Sequence, residues 1–496
     1  MKHHLAIWLA LLIQVLALQW WNGAYHADIG ADPDEPAHAV TSLMVRDYLA
    51  NAAGQNPLRF AQTYYERLPK VALGHYPPAF YAVAGVWLLP LVSAQSLLVL
   101  QAVLIATLGA LTAWAGAQFL PRWAAIIAAV FLVWCSPMEK IAILVMSDVM
   151  LAIACLCAAI SFVSFIERPR VAASLAFGFA AAIAILTKGS GWMLALVPLI
   201  AIALTRDWRL LLKPSLWLAP LPVLVLALPW QLFSLHFTKE GMSGLTPTQH
   251  FVAAIPFYAE AAWANVGPIV LILLAISLFA VIQTKPTPML ASLTALIIAC
   301  VVLMLSIPAG VSSRYFVPIV APVMLLVVLA LPHRRWAPLL VVASLLWAKH
   351  DKSYTKDSHG FTNSVQHAST SAAHTAWLVC SDSRGEGGII AAAAFDPELR
   401  KQPSFSVLRG TKELANTDWV SHDYKLKFND STTLLAHLRE KQISAVFFDD
   451  GVSGQYRQAH FDQLMQALSS PNSGWTMAQS FPTSHGEMQL HLPTQR

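Results

Sequence analysis

The sequence predicts a polytopic α-helical membrane protein with a smaller α/β domain at its C-terminal end. Two observations support this fold class. The 496-residue chain is 56% hydrophobic and only 12% charged, with a mean hydropathy of +0.55, a balance typical of membrane proteins. Long apolar runs separated by short polar breaks continue to about residue 349, and the composition becomes polar after that point.

The apolar runs predict about eleven membrane-crossing helices. Several runs are shorter than the roughly 20 residues of a comfortable span, so their ends are poorly defined by the sequence. The first run, from Leu5 to Trp21, has a poor cleavage site after it and is expected to be retained. The predicted crossings lie near residues 5–21, 97–119, 123–137, 149–166, 171–187, 190–204, 212–232, 267–283, 289–307, 315–331 and 336–349.

The predicted orientation depends on residues 78–91. If this stretch crossed the membrane, the basic loops would lie outside; if it is an outer-surface helix or a re-entrant segment, they lie inside. Cytoplasmic loops are enriched in Lys and Arg, which favours the second alternative. We therefore predict a cytoplasmic N-terminus and an external C-terminus. The basic loops contain Arg122, Arg168, Arg170, Arg206, Arg209, Lys285 and His333-Arg334-Arg335.

The predicted domains follow from this topology. Residues 1–349 form a membrane domain whose first external loop spans 22–95, and residues 350–375 form a linker rich in Ser, Thr and His. Residues 376–496 alternate strand and helix patterns, which predicts a mostly parallel sheet with a closing hairpin. This region lacks a dinucleotide-type glycine pattern, so we interpret it as a binding or shielding domain. Its strands are expected at 376–380, 404–408, 444–448, 475–481 and 487–492, and its helices at 388–395, 432–441 and 456–468.

An acidic cluster follows the first apolar run. Asp32, Asp34 and Glu35 lie within four residues, although the whole chain has only 27 acidic residues. Pro33 and Pro36 restrict the backbone, so we expect a defined loop that holds the carboxylates. Such a loop suits acid–base chemistry or cation binding. The alternative is a solvated loop that only ends the helix.

Other polar segments lie at the predicted external ends of helices: His75-Tyr76-Pro77-Pro78 with Tyr81, Met146-Ser147-Asp148, Thr187-Lys188-Gly189 and Ser313-Arg314-Tyr315. Together with the Asp-Glu pair, they resemble the GT-C class of membrane glycosyltransferases. Within that class the chain is most similar to the protein O-mannosyltransferase group and its bacterial relatives, including the lipid A aminoarabinose transferases. The resemblance covers roughly residues 1–345 and the presence of an external C-terminal domain.

The resemblance implies a hexosyl or pentosyl transferase that uses a polyprenyl-phosphate sugar donor. Transfer would be inverting, would occur at the outer face of the bacterial cytoplasmic membrane, and would serve a glycan, lipid or protein acceptor. Such chemistry needs a base and a group that stabilises the departing phosphate. By motif match Asp34 is the base or a cation ligand, assisted by Glu35 or Asp148. Arg314 and Lys188 are candidates to hold the donor phosphate, because their cations bind phosphate oxygens.

Two further groups of residues are candidates for substrate or metal binding. Aromatic side chains could line the sugar or the lipid, although an interfacial aromatic belt predicts the same tyrosines without a ligand. A divalent cation could be held by Asp34, Glu35 and His38; a solvated histidine is the alternative, and no Cys/His ligand spacing supports a metal. The expected lining residues are His75, Tyr76, Tyr81 and Tyr315.

Two other classes of function remain open. A flippase or transporter of lipid-linked saccharide should carry ionisable residues in mid-helix, whereas here they gather at helix ends. A non-catalytic membrane scaffold with an external binding domain would leave Asp34, Asp148 and Arg314 unexplained. The net charge of +5 is modest and gives no reason to expect a nucleic-acid partner.

Overall fold

The computed structural model divides into two compact units. The helical unit comprises Met1–Asn22, Gly74–Phe80 and Val99–Tyr354, and the polar unit comprises Gly23–Leu73, Tyr81–Leu98 and Thr355–Arg496. Most of the predicted external loop therefore belongs with the C-terminal region and not with the apolar helices. The structure describes residues 2–72, 74–238, 245–308, 310–331, 337–350, 354–416 and 424–494, so the predicted basic loop at His333-Arg334-Arg335 lies outside the described residues.

Apolar helices occupy the positions of all the predicted crossings. Among the described residues, six helices are long and apolar enough to cross a membrane, or seven if a pair bent by 61° is counted as one span. The remaining crossings coincide with shorter apolar helices, so the total of eleven stays a prediction. The long helices are His3–Trp21, Ala94–Gly116, Asp148–Glu167, Pro214–Thr238, Pro247–Gln283 and Pro288–Ser306; the bent pair is Arg122–Val133 and Ser136–Ala142; the shorter helices are Val171–Thr187, Gly189–Thr205, Ser313–Leu329 and Pro338–Lys349.

The longest helix, Pro247–Gln283, is broken at Gly267, where the predicted crossing begins. Gly267 has φ +77°, and a Cβ at this position would lie 2.5 Å from Ser344 Oγ. The Ser344 hydroxyl donates to the Val266 carbonyl at 2.8 Å and accepts from the Val270 N–H at 3.3 Å. The serine therefore satisfies backbone groups freed by the break, as apolar surroundings require.

Three helices lie in the stretch predicted as the first external loop: Asp34–Asn51, Pro57–Arg67 and Ala79–Trp87. Asn56 begins the second one, because its side chain accepts from the N–H groups of Leu58 and Arg59. The third has only 9 residues, about half the length of a membrane span.

The predicted linker contains a helix, Phe361–Ser371. The carboxylate of Asp28 caps it by accepting from the Phe361 N–H at 2.8 Å and from the Thr362 hydroxyl at 2.5 Å. The 350–375 segment is therefore partly ordered against the chain that precedes the acidic cluster. Its residues 351–353 lie outside the described part of the chain.

The C-terminal region forms a five-stranded mixed sheet with the strand order β2-β1-β5-β7-β6. Strand β1 pairs in parallel with β2 and β5, whereas β7 runs antiparallel to β5 and β6. The closing hairpin was expected, but the sheet is evenly mixed and not mostly parallel, because the hairpin strand β7 also pairs antiparallel with β5. Trp377, Phe447 and Phe448 are buried in this sheet. The strands are β1 Ala376–Cys380, β2 Ser406–Arg409, β3 Ala415–Asn416, β4 Lys425–Leu426, β5 Ile443–Asp449, β6 Trp475–Pro482 and β7 Glu487–Pro493, and the helices are Ser383–Phe395, Pro397–Lys401, Gly410–Glu413, Ser431–Glu440 and Ala459–Leu468.

Candidate functional site

In the helical unit, Asp148 and Lys188 form a buried ion pair. Asp148 begins helix Asp148–Glu167, and Lys188 directly follows helix Val171–Thr187, which packs against it. Lys188 Nζ donates to Asp148 Oδ1 at 2.7 Å, and the two side chains are 12% and 2% exposed. A carboxylate at a helix N-terminus and a cation at a helix C-terminus also complement the two helix dipoles. Both residues were expected at the external ends of helices, and the structure pairs them.

Arg314 and Tyr315 lie beside this pair. Both belong to the 3-10 turn Ser313–Phe316, which precedes a buried apolar helix. Arg314 Nη1 lies 3.8 Å from Met146 Sδ, in the segment that leads into Asp148. Lys188 Nζ lies 5.2 Å from the centre of the Tyr315 ring. We call Asp148, Lys188, Arg314 and Tyr315 the charge cluster.

A second ion pair in the helical unit escaped the sequence analysis. Lys349 Nζ donates to Glu139 Oε1 at 2.5 Å, and the ammonium lies 4.7 Å from the centre of the Trp134 ring. An acidic residue in an apolar stretch is costly to bury and therefore indicates a positively charged partner. The sequence could not identify that partner, because the two residues are 210 positions apart.

His75 and Tyr76 also belong to the helical unit. The His75 ring meets Phe237 edge-on, with the ring centres 5.9 Å apart. A Cβ at Gly74, where φ is +80°, would clash with the Phe237 ring, so this glycine permits the close approach. The role of His75 and Tyr76 in lining a substrate stays a prediction.

In the polar unit, Asp34 and Glu35 begin helix Asp34–Asn51, so the expectation that they lie in a loop is wrong. The flanking prolines explain the difference. Proline is well tolerated in the first turn of a helix, and Pro33 has φ −57°, a helical value. Asp32 Oδ1 accepts from the Asp34 N–H at 3.0 Å and so satisfies one of the free donors of this first turn. Asp34 itself is half-buried.

Glu35 is committed to structural contacts. Lys356 Nζ donates to Glu35 Oε1 at 2.6 Å, and both side chains are buried. The N–H groups of Gly30 and Ala31 donate to Glu35 Oε2 at 3.0 and 3.2 Å. The carboxylate therefore organises the segment before Asp34. These contacts do not support the predicted assisting role of Glu35 in catalysis.

Lys70, which the sequence analysis did not single out, contributes to the electrostatic environment of Asp34. Its ammonium donates to the Ser383 carbonyl at 3.1 Å. Burial and then the Arg409 guanidinium lower the pKa of Lys70 to about 8, while the Glu386 and Asp34 carboxylates act in the opposite direction. An isolated lysine before an apolar segment carries no sequence signal that would have revealed this arrangement.

The residues predicted to hold a cation do not form a fitting site. Glu35 already binds Lys356, and His38 Nδ1 is hydrogen-bonded to the Tyr81 hydroxyl at 2.9 Å. Within the described ranges, no group of three or more His, Cys, Asp or Glu side chains is placed to hold a metal ion. A cation at Asp34, Glu35 and His38 thus has no support from the contacts of these residues.

Comparison with known proteins identifies the fold. No family model matches the sequence, and no curated protein sequence matches it. The structure is similar to ArnT from Cupriavidus metallidurans bound to undecaprenyl phosphate, with 14% identity, a TM-score of 0.60 and 98% of both chains covered. The apo state of the same protein gives 15% identity and a TM-score of 0.61 over the same shares.

A third similar structure is the archaeal oligosaccharyltransferase AglB from Archaeoglobus fulgidus, in complex with an inhibitory peptide and a dolichol-phosphate. Here the identity is 11% and the TM-score 0.53, over 90% of this chain and 69% of AglB. ArnT and AglB are both GT-C glycosyltransferases. The chain therefore has the fold of the GT-C membrane glycosyltransferases, as the resemblance of its motifs predicted.

Proposed function

We propose that this protein is a glycosyltransferase that moves a sugar from a polyprenyl-phosphate donor to an acceptor, with inversion. The observation that carries the proposal is the charge cluster, in which Lys188 contacts both Asp148 and Tyr315, the residue next to Arg314. Arg314 in turn contacts Met146, two residues before Asp148. Charged groups in such surroundings are expensive and usually functional. The structures of ArnT with undecaprenyl phosphate and of AglB with dolichol-phosphate, which share this fold, support a donor of the same class.

The cluster offers a site for the departing phosphate. An ammonium has three N–H donors, so the bond to Asp148 orients Lys188 and leaves donors for phosphate oxygens. The planar guanidinium of Arg314 can bind two phosphate oxygens at once. Both cations stabilise the charge that develops as the sugar–phosphate bond breaks. Tyr315 is placed to pack beside the bound group.

Asp34 is our candidate for the base. In a single displacement, the acceptor oxygen forms a bond to the anomeric carbon as the bond to phosphate breaks, and polyprenyl phosphate leaves with the electron pair. The acceptor proton passes to the Asp34 carboxylate. The position of Asp34 at the start of a helix, beside Asp32 and buried Glu35, restricts its backbone.

We also infer that the charge cluster faces outward, in a chain with eleven crossings, a cytoplasmic N-terminus and an external C-terminal domain. Asp148 and Lys188 lie at one end of a helix pair whose connecting turn carries Arg168 and Arg170. Basic turns are favoured on the cytoplasmic side. The opposite end, with Asp148 and Lys188, is then external.

The test replaces the proposed base and uses its neighbour as a matched control. Asp34→Asn should abolish transfer, whereas Asp32→Asn should retain it, because the side-chain oxygen of asparagine can still accept from the Asp34 N–H. The measurement is mass spectrometry of envelope glycoconjugates from a deletion strain complemented with each variant. Wild-type glycoconjugates with Asp34→Asn, at equal membrane levels of protein, would eliminate Asp34 as the base.

A second assay separates transfer from the flippase alternative. Wild-type protein in sealed proteoliposomes should release polyprenyl phosphate from a radiolabelled polyprenyl-phosphate sugar when envelope extract supplies the acceptor. A flippase would move the labelled donor between leaflets and leave its sugar–phosphate bond intact. Movement without release in the wild-type protein would therefore contradict the proposed function.

A further inference from the structure

A cavity of about 400 Å³ lies within the polar unit. Its volume falls in the range of small-molecule binding sites. Helices Asp34–Asn51 and Pro57–Arg67 and the short helix Pro397–Lys401 contribute its walls. The lining residues that matter for its chemistry are Arg46, Asp47, Phe60, Tyr64, Arg67 and Arg400.

The cavity is positively charged. Three guanidinium groups line it, those of Arg46, Arg67 and Arg400, and the Asp47 side chain contributes a carboxylate. That carboxylate is already engaged, because it accepts from Arg46 Nη1 at 2.8 Å and from the Tyr64 hydroxyl at 3.1 Å. Burial and the Asp47 carboxylate hold the pKa of Tyr64 well above its usual value, so the hydroxyl stays a donor. Among the described residues that line the cavity, no second carboxylate balances the remaining guanidinium charge.

Two guanidinium groups keep donors for a ligand. Arg46 Nε is buried, and no acceptor in the described part of the chain lies within hydrogen-bonding distance of it. Arg400, which is partly buried, also lines the cavity, and its guanidinium can donate to an anion there. A buried donor without an acceptor is costly, and an anion in the cavity would relieve that cost.

The third guanidinium is held in place by backbone. Arg67 donates to the carbonyls of Gln402 at 2.6 Å and Phe405 at 3.2 Å, so its position is set before any ligand binds. Pre-organisation of this kind reduces the entropy lost on binding. Lys401 also lines the cavity, but it is exposed and pairs with Glu398 at 2.9 Å.

Aromatic rings form an apolar surface beside these charges. Phe60 and Tyr64 line the cavity, with their ring centres 5.9 Å apart. An aromatic surface next to guanidinium groups suits a ligand that has both an apolar face and an anionic group. We infer that this cavity is a binding site for a phosphorylated saccharide, which would place its ring on Phe60 and its phosphate between Arg46 and Arg400.

The cavity is separate from the proposed base. Asp34 and Arg46 lie on the same helix, and at ~1.5 Å per residue they are roughly 18 Å apart along its axis. Binding at the cavity does not depend on catalysis. We expect the natural occupant to be an anionic portion of the acceptor. This identity of the occupant rests on the proposed function, whereas the existence of the binding site does not.

The test measures binding of glucose 1-phosphate to the full-length protein in neutral detergent by titration calorimetry. Arg400→Gln should weaken binding by about tenfold or more, the value of one charge-assisted hydrogen bond. Arg59→Gln removes the same charge from an exposed position on helix Pro57–Arg67 outside the cavity and should leave the affinity unchanged. Glucose without phosphate should bind far more weakly than glucose 1-phosphate.

Several results would overturn the assignment. Equal affinity of wild type and Arg400→Gln, or an equal loss in Arg59→Gln, would remove the cavity as the site. Displacement of glucose 1-phosphate by phosphatidylglycerol nanodiscs, but not by phosphatidylcholine nanodiscs, would identify the ligand as a lipid headgroup instead of a saccharide. Asp34→Asn should bind glucose 1-phosphate like the wild type, so failure of the transferase proposal and failure of this one are distinguishable.

Discussion

The ion pair between Glu35 and Lys356 should be essential for the local structure around Asp34. Lys356→Met removes the cation and keeps a side chain of similar length. The Glu35 carboxylate would stay buried with only the N–H groups of Gly30 and Ala31 as donors. Removing one partner of a buried pair typically costs about 3–5 kcal/mol. Because two donors remain, we expect the lower end of that range, about 3 kcal/mol.

The assay is hydrogen exchange followed by mass spectrometry, on peptides that contain the Gly30 and Ala31 amides. These amides exchange only when the segment opens, so their protection reports the local free energy of opening. A loss of about 3 kcal/mol corresponds to exchange that is roughly a hundredfold faster. Glu35→Gln combined with Lys356→Met should recover much of the protection, because no uncompensated charge remains.

An exposed pair provides the matched control. Lys401 and Glu398 are 2.9 Å apart but 68% and 69% exposed, whereas Lys356 and Glu35 are 1% and 0% exposed. Lys401→Met should therefore change local stability far less than Lys356→Met does, because solvent screens an exposed pair. The two variants are compared by how much each accelerates exchange near its own pair, around Gly30 for Lys356→Met and around Glu398 for Lys401→Met. An equal acceleration in the two variants would refute the reasoning from burial.

Two further predictions concern the charges of the two units. Arg314→Gln should weaken binding of undecaprenyl phosphate by about 1.5–3 kcal/mol, measured by titration in detergent. The control is Arg168→Gln, at the other end of the helix pair. Equal affinities of the two variants for undecaprenyl phosphate would argue against a phosphate contact of Arg314. The lowered pKa of Lys70, about 8, means that the native state binds fewer protons than the unfolded state above that pH. Thermal stability should therefore gain a contribution as pH rises from about 8 to 10 that Lys70→Met lacks, and an unchanged pH profile in that variant would contradict the assignment.

The helices and strands were predictable because their signals are local. Each predicted crossing coincides with an apolar helix, since an uninterrupted apolar run has few alternatives to a helix in a membrane. Strand β1 occupies the predicted residues, and the closing hairpin β6–β7 was also expected. Both patterns depend on side chains within a few residues of one another.

The acidic cluster shows where local reasoning fails. Pro33 and Pro36 suggested a loop, although proline is as acceptable in a first helical turn as in a loop. In the folded chain the helix begins here, and the Asp32 carboxylate accepts from the Asp34 N–H in its first turn. The structural role of Glu35 depended on Lys356, 321 residues further along the chain.

The sequence by itself determined the class of the protein and the positions of its apolar helices. It also identified the polar residues that are unusual in a membrane protein. Only the tertiary structure decided which charges pair: Asp148 with Lys188, Glu139 with Lys349, and Glu35 with Lys356. It also placed Arg46 and Arg400 around one cavity. The physical reason is that apolar burial is a property of each segment, whereas a buried charge is stabilised by a partner whose position depends on the folding of the whole chain.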